Sequence, residues 1–316
     1  MNYNFSEITF PSSDGKNKVY AEIYTPKNRS SIGIVQISHG MIDHIGRYRE
    51  LIDYLTAEGF VVAGNHHLGH GKTVAAEEDF GFFAEKGGID FLLDDLHEMN
   101  RYLRHEFPTL PLIMLGHSMG SFLARLYANK YPHTVKGVMI HGTSGPNAAV
   151  GAGKLVASLI KGFRGSRYRS GLLTSLSIGA YSKKFAEEGK HAWLTREVGL
   201  VECRDTDPYT QFKFTASAYR DLFTMLALSN KKEWFRKYPH HVSTLVISGE
   251  EDPVGAFGKG PRYVYKNLLV AGVEDVTLKM YGGARHELFN EKNRHEVFVD
   301  ITEWLVGVVN KSKFTF

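Results

Sequence analysis

Short apolar runs separated by stretches of helical spacing set the rhythm of this chain. Runs at residues 32–38, 60–63, 111–115, 135–141, 242–248 and 276–280 are brief and largely apolar. That pattern suits strands buried on both faces of a parallel sheet. Segments 48–58, 89–106 and 294–309, and the stretch after residue 120, repeat apolar positions every three or four residues, as amphipathic helices do. Two earlier strands, near 5–10 and 18–25, read as an antiparallel lead-in. Alternation of this kind predicts an α/β fold, a mostly parallel central sheet covered by helices on both faces.

The alternation stops between Ser144 and about His240. The first half of that stretch is glycine-rich, with Gly145, Gly151, Gly153, Gly162, Gly165 and Gly171, and the second half is aromatic, with Trp193, Tyr209, Phe212, Phe214, Tyr219 and Phe223. The predicted organisation is a core at 1–143, an inserted, mainly helical lid at 144–240, and the rest of the core at 241–316. The glycines predict short, mobile lid helices.

Composition narrows the class. With 316 residues, 43% hydrophobic and 23% charged, the chain can build one large core. The single cysteine, Cys203, rules out an intramolecular disulfide and points to a reducing, cytoplasmic setting. The start lacks the basic and apolar regions of a signal peptide, and no run of about 18 apolar residues would span a bilayer. Net charge is only +4, yet the stretch 143–186 carries seven basic residues and no acid: Lys154, Lys161, Arg164, Arg167, Arg169, Lys183 and Lys184. With Leu155, Val156, Leu159 and Ile160 between the first two, this stretch has two readings. It is an interfacial helix that touches anionic lipid transiently, or a solvated loop whose apolar residues face a ligand channel. No nucleotide-binding glycine motif and no nucleic-acid reading module is present, and neither is the H-E-x-x-H metal pattern. No cofactor or metal is expected.

The candidate chemistry begins at Gly116-His117-Ser118-Met119-Gly120. A strand precedes it and a helix follows, the setting in which G-x-S-x-G lifts a serine hydroxyl from the backbone as a nucleophile. Partners for such a serine come later in the chain, first an acid and then a histidine. The run 242–248 ends in Gly249-Glu250-Glu251-Asp252-Pro253, and 276–280 ends in Tyr281-Gly282-Gly283-Ala284-Arg285-His286-Glu287. Both loops follow the carboxyl ends of predicted strands, where open α/β sheets place their sites. His286 is the expected general base, and Asp252 is the expected orienting acid among three adjacent carboxylates. The oxyanion of acyl transfer needs two backbone N–H donors. Met119 supplies one, and Met41, in the His39-Gly40-Met41 loop after run 32–38, supplies the other.

These segments, together with His44 and Gly69-His70-Gly71, resemble the monoacylglycerol lipase and lysophospholipase family of α/β-hydrolases from about residue 30 to residue 310. The resemblance implies a Ser118, Asp252, His286 triad, an oxyanion hole from Met41 and Met119, and a lid over an acyl-binding channel. It implies hydrolysis of monoacylglycerol or lysophospholipid, small ester substrates with an acyl chain. An esterase for short or aromatic esters, an amidase, and a ligand-sensing protein on the same fold stay open as alternatives. Two segments depart from the family: the oxyanion segment reads Met41-Ile42-Asp43-His44 where relatives often carry Gly-Glu-His, and the other follows the fourth strand. Where relatives often carry Asp-x-Arg-Gly-His-Gly, this chain has Asn65-His66-His67-Leu68-Gly69-His70-Gly71, without the acid and the arginine that buttress the site.

Overall fold

A computed structural model of the chain describes residues 3–313. Eight strands form one sheet: β1 (Tyr3–Pro11), β2 (Lys18–Pro26), β3 (Gly33–Ser38), β4 (Phe60–Asn65), β5 (Leu112–His117), β6 (Gly137–His141), β7 (Ser243–Gly249) and β8 (Val276–Tyr281). Their spatial order is β1-β2-β4-β3-β5-β6-β7-β8. The lead-in pair β1–β2 is antiparallel, as is β2–β4, and every later pairing is parallel. The five strands β3 to β7 are buried at every position, which explains their largely apolar character.

Alternate residues of these strands feed two cores, because successive side chains leave a strand on opposite faces. Ile34, Leu112 and Met114 join the core beneath α2 (Gly88–Glu106) and α3 (Met119–Lys130). Val35, Ile113 and Leu115 join the core beneath α1 (Arg49–Ala57) and the last helix (Arg294–Lys313). On α1, Leu51, Ile52 and Leu55 form the buried stripe that helical spacing predicts.

Between β6 and β7 the described residues contain no strand. Helices α4 (Ala149–Arg164), α5 (Gly171–Thr174), α6 (Val198–Thr206), α7 (Ala216–Ser229) and α8 (Lys232–Lys237) occupy this insertion, with a π-helical turn at Ser175–Gly179. The expectation of short helices fails at α4, which runs for 16 residues through three glycines. One of them has a packing reason: a Cβ on Gly153 would lie 3.0 Å from the Phe223 ring, so glycine lets α7 approach closely. A ninth helix, α9 (Lys259–Val270), follows the acid loop of β7 and precedes the last helix, α10. Its start, Gly258-Lys259-Gly260-Pro261, hides it from sequence patterning. Proline is harmless there, since first-turn N–H groups need no intrahelical acceptor.

Candidate active site

The turn that carries the candidate nucleophile is strained. Ser118 sits between β5 and α3 with φ 53° and ψ −118°, a region a side chain rarely adopts. Its N–H donates to His141 C=O at 2.9 Å, which pins the turn to β6. The flanking glycines are obligatory by distance. A Cβ on Gly116 would fall 2.3 Å from Gly120 C=O, and one on Gly120 would fall 1.9 Å from Ser38 C=O.

Asp252 and His286 meet behind this turn. His286 Nδ1 donates to Asp252 Oδ2 at 3.0 Å, and both side chains are buried. Asp252 also accepts from Val254 N–H at 2.8 Å. Of the three adjacent acids only Asp252 is buried; Glu250 is exposed and pairs with Arg262. Burial alone would lower the basicity of His286, but the Asp252 carboxylate more than offsets it and raises the imidazole above its ordinary 6.5. Ser118 and His286 open onto the same cavity of about 410 Å³.

The oxyanion loop is held by side chains rather than by a ladder. Gly40 N–H and His44 N–H donate to Asp43 at 3.1 and 2.9 Å. Ile42, at φ 54°, donates its N–H to His70 Nε2 at 3.2 Å. The amides on either side of Met41 are thus tied, and the Met41 N–H has no acceptor among the described residues. Met119 N–H is the first of α3, one of the donors a helix start leaves unused. Burial opposes the charge of Asp43, yet Arg47 at 3.0 Å holds its carboxyl well below the usual range, and the Tyr48 hydroxyl donates to it at 2.8 Å.

Neutral histidines support this loop in the segment where the resemblance implied an acid and an arginine. His70 Nδ1 donates to Leu68 C=O at 3.0 Å, which leaves Nε2 as the acceptor for Ile42. His67 N–H donates to His39 Nε2 at 3.0 Å, and His67 Nε2 shares a bond with Ser38 Oγ at 3.2 Å. Burial pushes His70 down to about 4 and His67 to about 3, so both are uncharged at neutral pH.

Several residues of the site carry no signal in one sequence. Arg47 donates to both oxygens of Glu287 at 2.9 and 2.7 Å, which joins the oxyanion loop to the residue after His286. Both read as surface charges along the chain, and only their three-dimensional pairing reveals them. The insertion is strapped to the same loop: Glu287 N–H donates to Leu194 C=O, and Arg285 to Ala192 C=O, each at 2.7 Å. The Trp193 ring lies 5.3 Å from the His286 ring. The cavity has two characters. Phe122, Val150, Val156, Ile178, Leu222 and Phe223 make an apolar wall, while Asp43, Arg47, His191, Arg204 and Glu287 make a polar one.

Comparison with known proteins is consistent along the chain. A family model described as serine aminopeptidase, S33, matches residues 29–293. A monoacylglycerol lipase of Mycolicibacterium smegmatis is 27% identical over 308 residues, covering 96% of this chain and 97% of that protein. A human monoglyceride lipase is 26% identical, covering 89% of this chain and 83% of its own length. A solved thermostable carboxyl esterase from Bacillus coagulans, in complex with glycerol, superposes with a TM-score of 0.90 at 30% identity, over 96% of this chain and 99% of that one.

Proposed function

Because this chain belongs to the serine aminopeptidase (S33) family of α/β-hydrolases, we propose that it cleaves carboxylic esters of acyl lipids through an acyl-enzyme. Ser118 attacks the ester carbonyl while His286 takes its proton, and Asp252 holds the imidazole tautomer. The N–H groups of Met41 and Met119 receive the oxyanion. Protonated His286 then gives its proton to the leaving alcohol. In the second half a water, activated by the same imidazole, releases the acid. The buried His286–Asp252 pair, sharing a cavity with a strained serine, carries this reading.

The two-sided cavity supports an amphiphilic substrate. An acyl chain suits the apolar wall, and a hydroxylated or charged headgroup suits the polar one. Relatives named monoacylglycerol lipase and monoglyceride lipase favour that class over a short-chain or aromatic esterase. In this reading the insertion is a lid that gates the cavity. Its helix α4 turns Val156 inward but Leu155, Leu159 and Phe163 outward, at 61%, 51% and 85% exposure. Lys154 and Arg164 flank them, so the outer face suits transient contact with an anionic membrane surface. The lone, free Cys203 fits work in the cytoplasm.

A fluorophosphonate probe and a rate series test the assignment. Ser118→Ala is expected to lose labelling and at least about 10⁴-fold in kcat. Labelling that persists would place the nucleophile elsewhere. On p-nitrophenyl esters from C2 to C16 the rate is expected to peak at medium or long chains, with 1-monoacylglycerol also cleaved. A single burst without further turnover would favour a ligand sensor instead.

A further inference from the structure

The polar wall of the cavity is one-sided in its hydrogen bonding. Its carboxylates are used and one of its cations is not. Asp43 accepts from Gly40, His44, Arg47 and Tyr48. Glu287 accepts from Arg47 and from Asn290 Nδ2. Arg47 is spent on these two acids.

Arg204, on α6, differs. It is 9% exposed and lines the cavity. Only Nη1 is engaged, donating to Asp205 at 3.2 Å; His191 Nδ1, 3.4 Å from Nη1, gives its own proton to Asp205. Nε and Nη2 have no partner among the described residues. Asp205 is a weak counterion, since its side chain is 42% exposed and also bonds His191 at 2.5 Å. Burial, reinforced by the charge of Arg47, works against the Arg204 cation. A guanidinium keeps its proton even so, and it has no acceptor function. What remains is a largely buried guanidinium with two unpaired donors, on a residue that lines the cavity. On the same stretch of insertion, Trp193 also lines the cavity.

A desolvated guanidinium with free donors is complementary to an anion, because charge-assisted bonds return what burial costs. The acyl chain belongs on the apolar wall, so the group reaching Arg204 comes from the alcohol side of the ester. We propose that Arg204 is a specificity-determining residue that binds an anionic group on the leaving alcohol, a phosphate or a carboxylate. This rests on the reading of the site as an ester hydrolase.

The test measures kcat/KM on three dodecanoyl esters below their aggregation concentrations: of glycerol, of glycerol 3-phosphate and of lactate. The readout is the ratio of each anionic ester to the neutral one. In the wild type the phosphate or the carboxylate ester is expected to exceed the glycerol ester, and whichever does so identifies the anion. Arg204→Gln is expected to lower that ratio about 10- to 100-fold, mainly through KM, as loss of a charge-assisted bond does. Arg204→Lys is expected to recover part of it. Asp205→Asn removes the competing carboxylate and is expected to raise the ratio several-fold, a sign that general destabilisation does not produce. A ratio unchanged by Arg204→Gln, or lowered by Asp205→Asn, overturns the proposal. Cleavage of the glycerol ester alone by the wild type also overturns it and leaves ester hydrolysis standing. Cleavage of none of the three esters defeats the underlying reading.

Discussion

In the proposed mechanism His286 sets the pH response of this site. A protonated imidazole cannot take the proton of Ser118, so kcat/KM is expected to rise with pH through the His286 value. That value lies above 6.5 because Asp252 outweighs the effect of burial. Asp252→Asn removes the largest upward cause. The acid limb is then expected at lower pH, with kcat down about 10⁴-fold from loss of the correct tautomer. An acid limb that stays in place would show that another group titrates. Ser118, Asp252 and His286 were readable as candidates because each stands at a strand end in the order the proposed chemistry requires. Arg47, Glu287 and Arg204 were not, because a charge that will be buried looks along the chain like a charge that will be solvated.

At the scale of elements, the question is what keeps the Met41 amide free. One nearby side chain and one remote in sequence claim its neighbours: Asp43 takes the Gly40 N–H and His70 takes the Ile42 N–H. His70→Leu is expected to lower kcat about 10- to 100-fold, with a smaller change in KM, because a displaced oxyanion donor weakens transition-state binding. His70→Gln, which can present an acceptor to Ile42, is expected to recover part of the loss. Affinity for an alkyl boronic acid should follow kcat across both variants. If boronate affinity stays at the wild-type level while kcat falls, His70 acts elsewhere. The same elements show where patterning reaches its limit. The buried strands were legible from their unbroken apolar runs. Helix α9 was not, since its glycine-and-proline start mimics a loop. The length of α4 was not either, since its three glycines read as helix breakers, although Gly153 serves packing against Phe223.

For the whole molecule, the basic run of the insertion divides in two. Lys161, Arg167 and Arg169 bond the core loop near residues 78–85, so part of the charge fastens the insertion. The outer face of α4 keeps Leu155, Leu159 and Phe163 exposed beside Lys154 and Arg164. Flotation with vesicles containing phosphatidylglycerol is expected to carry the protein up. Changing Leu159 and Phe163 to Ser is expected to reduce binding about 10-fold or more, since each contributes on the order of 1–3 kcal/mol of apolar burial. Binding that is absent, or indifferent to both changes, would leave this face without a membrane role.

By itself the sequence determined the sheet of alternating strands and helices, the glycine-flanked serine turn, and the order of acid and histidine. These follow from local causes: periodicity, the steric demands of a strained turn, and loops placed at strand ends. Only the tertiary structure decided which charges are buried and paired, that neutral histidines support the oxyanion loop, and that the cavity has an apolar and a polar wall. Those depend on residues far apart in the chain, such as Arg47 with Glu287 and Ile42 with His70. Burial and partner choice are properties of packed surfaces, and a linear pattern holds no record of which surfaces will meet.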